Sequence, residues 1–286
     1  MRLGFGVAAT VPHEVLRELG SVLGGLGYDD AWSNDLGLGG PGGSGDGLAA
    51  LGALAARGAG LRLGLGVAAL DRRPPAALAE AVEAQDLSAG GRLLLGVGAG
   101  FSQAPLELVR KGVHELRGLL PDGVRIGVAA MGPRMCRLAG ATADFVLLNW
   151  MTPERIRWAR RLVRAGAEAA AREPESVEIA AYVRVAVGPG AAERLAAEAG
   201  RYASMPHYGR HFEAMGAMGA MGAMGAIGAM GAMGADPGSV GVAQEDPGTV
   251  AGVLAPYREV LDTLGVRGLP ATPTFDAHLE IARAAR

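Results

Sequence analysis

Between Arg62 and Gly100 the chain runs an apolar strand, an Arg-Pro turn, a helix, the segment Leu87-Ser-Ala-Gly-Gly-Arg92 and a second apolar strand. A strand that returns parallel to itself through a helix is one βαβ step, and only a few architectures repeat that step. Both strands end in glycine, which lets a flat ligand approach the backbone closely.

The same alternation extends on both sides. Strands are predicted at Leu3–Ala8, Asp30–Ser33, Leu61–Ala69, Arg92–Val97, Arg125–Ala130, Phe145–Leu148 and Val177–Val187, with helices between them. Pro75, Pro133 and Pro153 stand where helices open, a position that proline favours because its missing N–H has no intrahelical partner there. Seven parallel strands with intervening helices predict an α/β fold of the (β/α)8, or TIM, barrel kind, built as one domain over residues 1–286. The closing strand is expected to be imperfect, since Leu264-Gly-Val-Arg-Gly-Leu-Pro270 interrupts its apolar run.

A chain of 286 residues that is 50% apolar can fill such a barrel. Its net charge of -2 offers no basic face for nucleic acid and no polybasic anchor for a membrane, which leaves a small-molecule partner. The single cysteine, Cys136, excludes an internal disulfide and is expected as a small core residue on a helix. The first residues read directly as a strand and not as a leader, so a cytoplasmic location is expected.

Met215–Ala235 is seven consecutive triplets, six Met-Gly-Ala and one Ile-Gly-Ala, within a low-complexity insert at 213–238. Without proline it is no collagen, and with glycine at every third position it is too polar for a Leu-rich membrane span and too costly for an isolated helix. It reads as a connector, or as a Met-lined flap able to mould to an aromatic surface.

In a barrel of this kind the loops after the strands build the site. Those loops offer Asn34-Asp35, Gly66-Val67, Gly98-Ala-Gly100-Phe101, Gly132-Pro133-Arg134 and Asn149-Trp150. The helix opening at Pro133 presents free N–H groups to an anion, with Arg134 beside them. Taken singly, each glycine is equally explained by barrel packing. No dinucleotide fingerprint, phosphate-binding loop, nucleophile elbow or Cys-His pairing is completed. His207 and His211 share a helical spacing but lack a third ligand, and are expected as a surface or lid pair and not as a metal site. So few acids, bases and ligands suggest that a cofactor carries the chemistry.

Four segments together resemble the luciferase-like monooxygenase superfamily, and within it the branch using the deazaflavin coenzyme F420. They are Leu26-Gly-Tyr-Asp-Asp-Ala-Trp-Ser-Asn-Asp35; Arg62-Leu-Gly-Leu-Gly-Val67 with Arg73-Pro74 and Asp86-Leu-Ser-Ala-Gly-Gly-Arg92; Leu95-Gly-Val-Gly-Ala-Gly100; and Ala130-Met-Gly-Pro-Arg-Met135 with Ala143-Asp144 and Leu148-Asn149. The resemblance implies a TIM barrel, a homodimer, and a flat ring bound at the strand C-termini. It further implies a bulge with a non-prolyl cis peptide at Gly66-Val67 behind that ring, Gly98 and Gly100 beneath it, and a phosphate-proximal turn at Gly132-Pro133. Arg134 and Asn149 complete the expected cofactor contacts.

Two positions depart from the family. Leu36 stands where a histidine is usual, and Phe101 where sugar-phosphate dehydrogenases of the branch carry a glutamate. Asp35 is then the one candidate acid, base or orienting carboxylate; its alternative role is to cap the glycine-rich loop. Three readings follow: an F420-dependent oxidoreductase moving a hydride to or from an organic substrate, an FMN-dependent monooxygenase of the same fold, and a non-catalytic barrel acting as a binding or scaffold protein.

Overall fold

The structure, a computed structural model, describes residues 1–37, 45–58, 60–215 and 240–286. Most of the glycine-rich loop and almost all of the Met-Gly-Ala segment lie outside the described residues.

The strands are β1 (Arg2–Val7), β2 (Asp30–Ser33), β3 (Arg62–Ala69), β4 (Leu93–Gly98), β5 (Arg125–Ala129), β6 (Phe145–Asn149), β7 (Glu178–Val187), β8 (Gly241–Gln244) and β9 (Thr263–Gly268). Every pairing is parallel, and β1-β2-β3-β4-β5-β6-β7-β9 close on themselves as an eight-stranded barrel. The extra strand β8 pairs with Arg184–Val187, the part of β7 beyond the end of β6.

The helices are α1 (His13–Leu23), α2 (Gly47–Ala55), α3 (Pro75–Ala84), α4 (Pro105–Leu119), α5 (Pro133–Thr142), α6 (Pro153–Ala169), α7 (Ala191–Ala203), α8 (Pro206–Ala214), α9 (Val250–Arg258) and α10 (Phe275–Ala284). Five of them open on proline. The main core lies between the strands and the helices that cover them, with Cys136 fully buried in it on α5. Among the described residues no helix is long and apolar enough to cross a membrane.

One expectation is overturned. The closing strand is not imperfect: β9 is buried along its whole length and pairs with both β1 and β7. Its residues look unpromising because Gly265 and Arg267 point inward, where this barrel has uses for a missing and a charged side chain.

Inside the barrel, a layer of rings is made possible by glycines. Trp32 meets Phe145 and Tyr182 edge to face, with centroids 5.9 Å apart in each case. A Cβ on Gly64 would fall 2.1 Å from the Trp32 ring, and one on Gly127 2.2 Å from Phe145. Large rings and bare backbone thus alternate around the interior, so that each ring occupies the space a glycine leaves.

Below that layer, at the strand N-termini, an ionic plug spans the barrel. Arg62 on β3 donates to Asp30 on β2 at 2.6 and 2.7 Å and to Glu178 on β7 at 3.2 and 3.3 Å. Glu178 also accepts from Arg125 on β5 and Thr263 on β9. Burial pushes the Glu178 carboxyl up, but the bonds from Arg62, Thr263 and Arg125 outweigh it and hold it at about 2. Asp30 is raised, because its burial outweighs Arg62.

Since Glu178 titrates lower folded than its ordinary 4.5, its stabilisation is complete above that value and fades as the pH falls towards 2. Glu178→Gln should cost about 3 kcal/mol at neutral pH and should flatten stability in that window. Urea denaturation at pH 7 and between pH 5 and 2.5 measures both; an unchanged acid limb in the variant would count against this plug.

Candidate active site

At the opposite, C-terminal end of the strands lies a cavity of about 200 Å³. Its wall is Gly66 and Val67 of β3, Ala129 of β5, Leu147 of β6 and Tyr182 of β7, and its rim includes Asn34, Asp35, Asn149, Tyr202 and Tyr208. The strand that supplies Gly66 and Val67 is irregular there. The β3–β4 register shifts between Leu65 and Ala68, and the Gly66-Val67 peptide is cis, the bulge and bond named from the sequence.

Four of the sequence-selected residues, Asp35, Gly66, Val67 and Asn149, border this one cavity. Gly98 lies just behind it: a Cβ there would meet Val67 Cγ2 at 3.2 Å and the Ala129 Cβ at 3.6 Å. Gly100 serves a turn, with φ +61° and space for a side chain blocked by Asp71, whose carboxylate accepts from the Phe101 N–H at 2.8 Å. Gly132, Pro133 and the exposed Arg134 follow the rim residue Met131 at the start of α5, whose first turn holds no acidic side chain.

Asp35 is nearly enclosed. Its Oδ1 accepts from the Gly47 N–H at 3.0 Å, at the start of α2, and its Oδ2 is 3.7 Å from Arg73, which also holds Asp46 at 3.1 Å. The carboxylate therefore ties the loop after β2 to α2, the capping role that the sequence left open. Both replaced family positions are exposed: Leu36 lies on the rim of this cavity, and Phe101 packs edge-on to His207.

Sequence reasoning missed the cavity's most polar wall. Tyr182 Oη is buried without a hydrogen-bond partner among the described residues, 2.6 Å from where a Gly66 Cβ would be. Asn149 donates to Tyr208 Oη at 2.7 Å and accepts from Arg184. Burial keeps both phenols protonated: Tyr182 is shifted up, and Tyr208 is pushed up to about 12 by burial and Tyr202. A signal existed, for Glu178, Tyr182 and Arg184 repeat at even spacing along a strand that is otherwise apolar.

Of the surface and lid alternatives for the histidine pair, the surface one fails for His211. His211 is not on the surface: it is 5% exposed, and its Nε2 lies 2.8 Å from the Trp150 carbonyl, which anchors α8 over the barrel mouth. Trp150, Tyr202, Tyr208 and Phe212 pack into one aromatic cluster there, with ring centroids 4.7 to 5.8 Å apart in the pairs Tyr202–Tyr208, Trp150–Tyr202 and Trp150–Phe212. Among the described residues no group of three or more His, Cys, Asp or Glu is placed to hold a metal ion.

A parallel barrel with a small cavity at its strand C-termini is the frame on which barrel enzymes build their sites. The family model for luciferase-like monooxygenases matches residues 5–126 and 111–263, and the chain belongs to this family. It is 29% identical over 165 residues to a 5,10-methylenetetrahydromethanopterin reductase of Methanolobus tindarius, covering 46% of this chain and 51% of that protein. A reductase of the same name from Archaeoglobus fulgidus is 26% identical over 159 residues, 44% of this chain and 48% of that one. The chain thus aligns with about half the length of these curated relatives. Its fold is shared with an F420-dependent secondary alcohol dehydrogenase solved with an F420-acetone adduct, at TM-score 0.76 and 16% identity over 100% of this chain and 99% of the other. It is also shared with a monooxygenase from Streptomyces bottropensis, at TM-score 0.67 and 19% identity over 99% and 97%.

Burial, with a smaller contribution from Arg155, lowers the His211 pKa from 6.5, and its buried Nδ1 has no hydrogen-bond partner among the described residues. The unfolded chain takes up that proton more readily, so the docking of α8 is expected to weaken as the pH falls below about 6.5. Hydrogen exchange of residues 206–214 should speed up between pH 7.5 and 5.5, beyond the intrinsic pH effect, and His211→Gln should remove most of that change. Equal protection at both pH values in the parent chain would contradict it.

Proposed function

We propose that this chain is an oxidoreductase that moves a hydride between the deazaflavin coenzyme F420 and a small organic substrate. The observation that carries the reading is the cavity wall made by Gly66 and Val67, backed by Gly98, with the Tyr182 hydroxyl, unpartnered among the described residues, at its edge. Two names support the choice of cofactor: those of the F420-dependent secondary alcohol dehydrogenase and of a coenzyme F420-dependent tetrahydromethanopterin reductase from Methanopyrus kandleri that shares this fold.

The residues fit such a group in kind. A planar ring needs a flat apolar wall, and Gly66 with Val67 and Ala129 supplies one, Gly98 leaving room behind Val67 and Ala129. A ring heteroatom needs a partner at depth, and Tyr182 Oη is a buried hydroxyl that lacks one. At about 200 Å³ the cavity is smaller than the roughly 300–1,000 Å³ usual for whole ligands, so the wall would hold the ring and the α5 N-terminus with Arg134 would meet an anionic tail.

When bound, the deazaflavin supplies or takes up the hydride. The chain's own residues orient, exclude water and hold a proton. Tyr182, kept protonated by burial, donates a hydrogen bond into the cavity. Tyr202 and Tyr208 cover the opening, and the Arg184–Asn149–Tyr208 chain fixes them in place. Asp35 holds the rim through Gly47 and Arg73, as an orienting carboxylate.

An FMN-dependent monooxygenase is the second reading, favoured by the monooxygenase among the fold neighbours. Titration separates the two: F420 should bind in the micromolar range with quenched fluorescence, and FMN at least tenfold more weakly. Gly98→Val should abolish binding, while Tyr182→Phe should weaken it about fivefold, the worth of one neutral hydrogen bond near 1 kcal/mol. Tighter binding of FMN would favour the monooxygenase, and binding of neither would end both readings.

A further inference from the structure

Above the ring layer, the barrel interior ends in two arginines side by side. Arg184 on β7 and Arg267 on β9 are direct partners in the β7–β9 register, and both are buried, at 2% and 8% exposed. Neither forms an ion pair with a carboxylate of the described residues. Arg184 bonds to Asn149 and lies over the rings of Trp150 and Tyr202, at 4.4 and 5.0 Å from their centroids. Arg267 makes one hydrogen bond there, to the carbonyl of its neighbour Gly268 at 3.0 Å. Two like charges out of water and without a counter-ion are an unfavourable arrangement unless something else supplies the negative charge.

The space for it is present. Arg267 lines a second cavity of about 480 Å³, between the ends of β1 and β9 and helices α7 and α10. That cavity has one carboxylate in its wall, Glu198, and Glu198 is already paired with Arg201. Its third arginine, Arg194, has its donors occupied by the carbonyls of Val187, Pro189 and Leu269. The cavity keeps a net positive charge, and Arg267 is the arginine with most of its donors left to offer. Tyr182 of the first cavity and Arg267 of the second both approach a bare stretch of β1, since a Cβ on Gly6 would lie 3.2 Å from the Tyr182 ring and 3.3 Å from Arg267 Cδ.

We infer that Arg267, backed by Arg184, binds an anionic group, a carboxylate or a phosphate, on the molecule whose reacting end lies at Tyr182. Calling that molecule the substrate rests on the oxidoreductase reading. The α5 terminus assigned to the cofactor tail follows β5, across the barrel from β9 and β1, so one ligand does not serve both places. The substrate class is therefore a small organic acid or phosphate ester, held by the planar guanidinium fork.

The test is thermal melting of the full chain with inorganic phosphate or acetate, at ionic strength kept constant with chloride and with no cofactor added. Saturating phosphate or acetate should raise the melting temperature by about 5 °C. Whichever anion acts at the lower concentration tells phosphate ester from carboxylic acid. Arg267→Met should abolish the rise and, without added anion, should melt no lower than the parent chain, because it removes an uncompensated buried charge. Arg267→Lys should retain the rise with about tenfold weaker anion binding.

No saturable rise with either anion, an equal rise in Arg267→Met, or a lower melting temperature or failure to fold of Arg267→Met without anion would each overturn the inference. The last would make Arg267 a structural strut. A chain that responds to phosphate through Arg267 yet binds no F420 would uphold this site and refute the cofactor assignment.

Discussion

The Glu178 carboxylate fixes the strand on which everything above it depends. It gathers bonds from β3, β5 and β9 at the closed end of the barrel, which locks the register of β7. Because alternate residues of a strand share a face, locking Glu178 inward also sends Ala180, Tyr182 and Arg184 inward. A slip of one residue would turn the cavity's tyrosine and the upper arginine out into the helical layer. A buried ionic plug of this kind is weak evidence for stability and better evidence for specifying one register.

β7 thus passes through three layers of different chemistry. The lowest balances Arg62 and Arg125 against Asp30 and Glu178. The middle holds only rings and aliphatic side chains around bare glycines, with Trp32, Phe145, Leu94 and Leu147 around Tyr182. The upper carries Arg184 and Arg267 with no carboxylate bound to either among the described residues. The lowest layer is the internal comparison: where this interior is only structural, its charges are neutralised side chain by side chain.

Much of the barrel was legible because its signals are local. Prolines at helix starts, glycines at strand ends and apolar runs of strand length place β1 to β7 to within a residue or two. The same habits failed for β9, whose Gly265 and Arg267 break an apolar run for reasons set by Tyr182 and the second cavity. They failed again for His211, since a helical spacing does not reveal that the Trp150 carbonyl waits 2.8 Å away. Asp35 and Gly66 were found as loop residues after strands, whereas Tyr182, Tyr202 and Tyr208 were not, because they converge from one strand and two helices that only the closed fold brings together.

The loss of family acids at Leu36 and Phe101 then takes on a different meaning. Both positions are exposed, Leu36 at the cavity rim, and the buried polar atoms of the upper barrel sit instead on β7, β9 and the helices that follow β7. Proton-holding is concentrated in phenols that burial keeps neutral, and positive charge in guanidiniums that stay charged when buried. A site so composed orients and neutralises anionic ligands and offers few groups that exchange protons near pH 7. On the proposed reading, that would suit a reaction in which a bound cofactor carries the electrons, with the choice of substrate set by what Arg267 can reach.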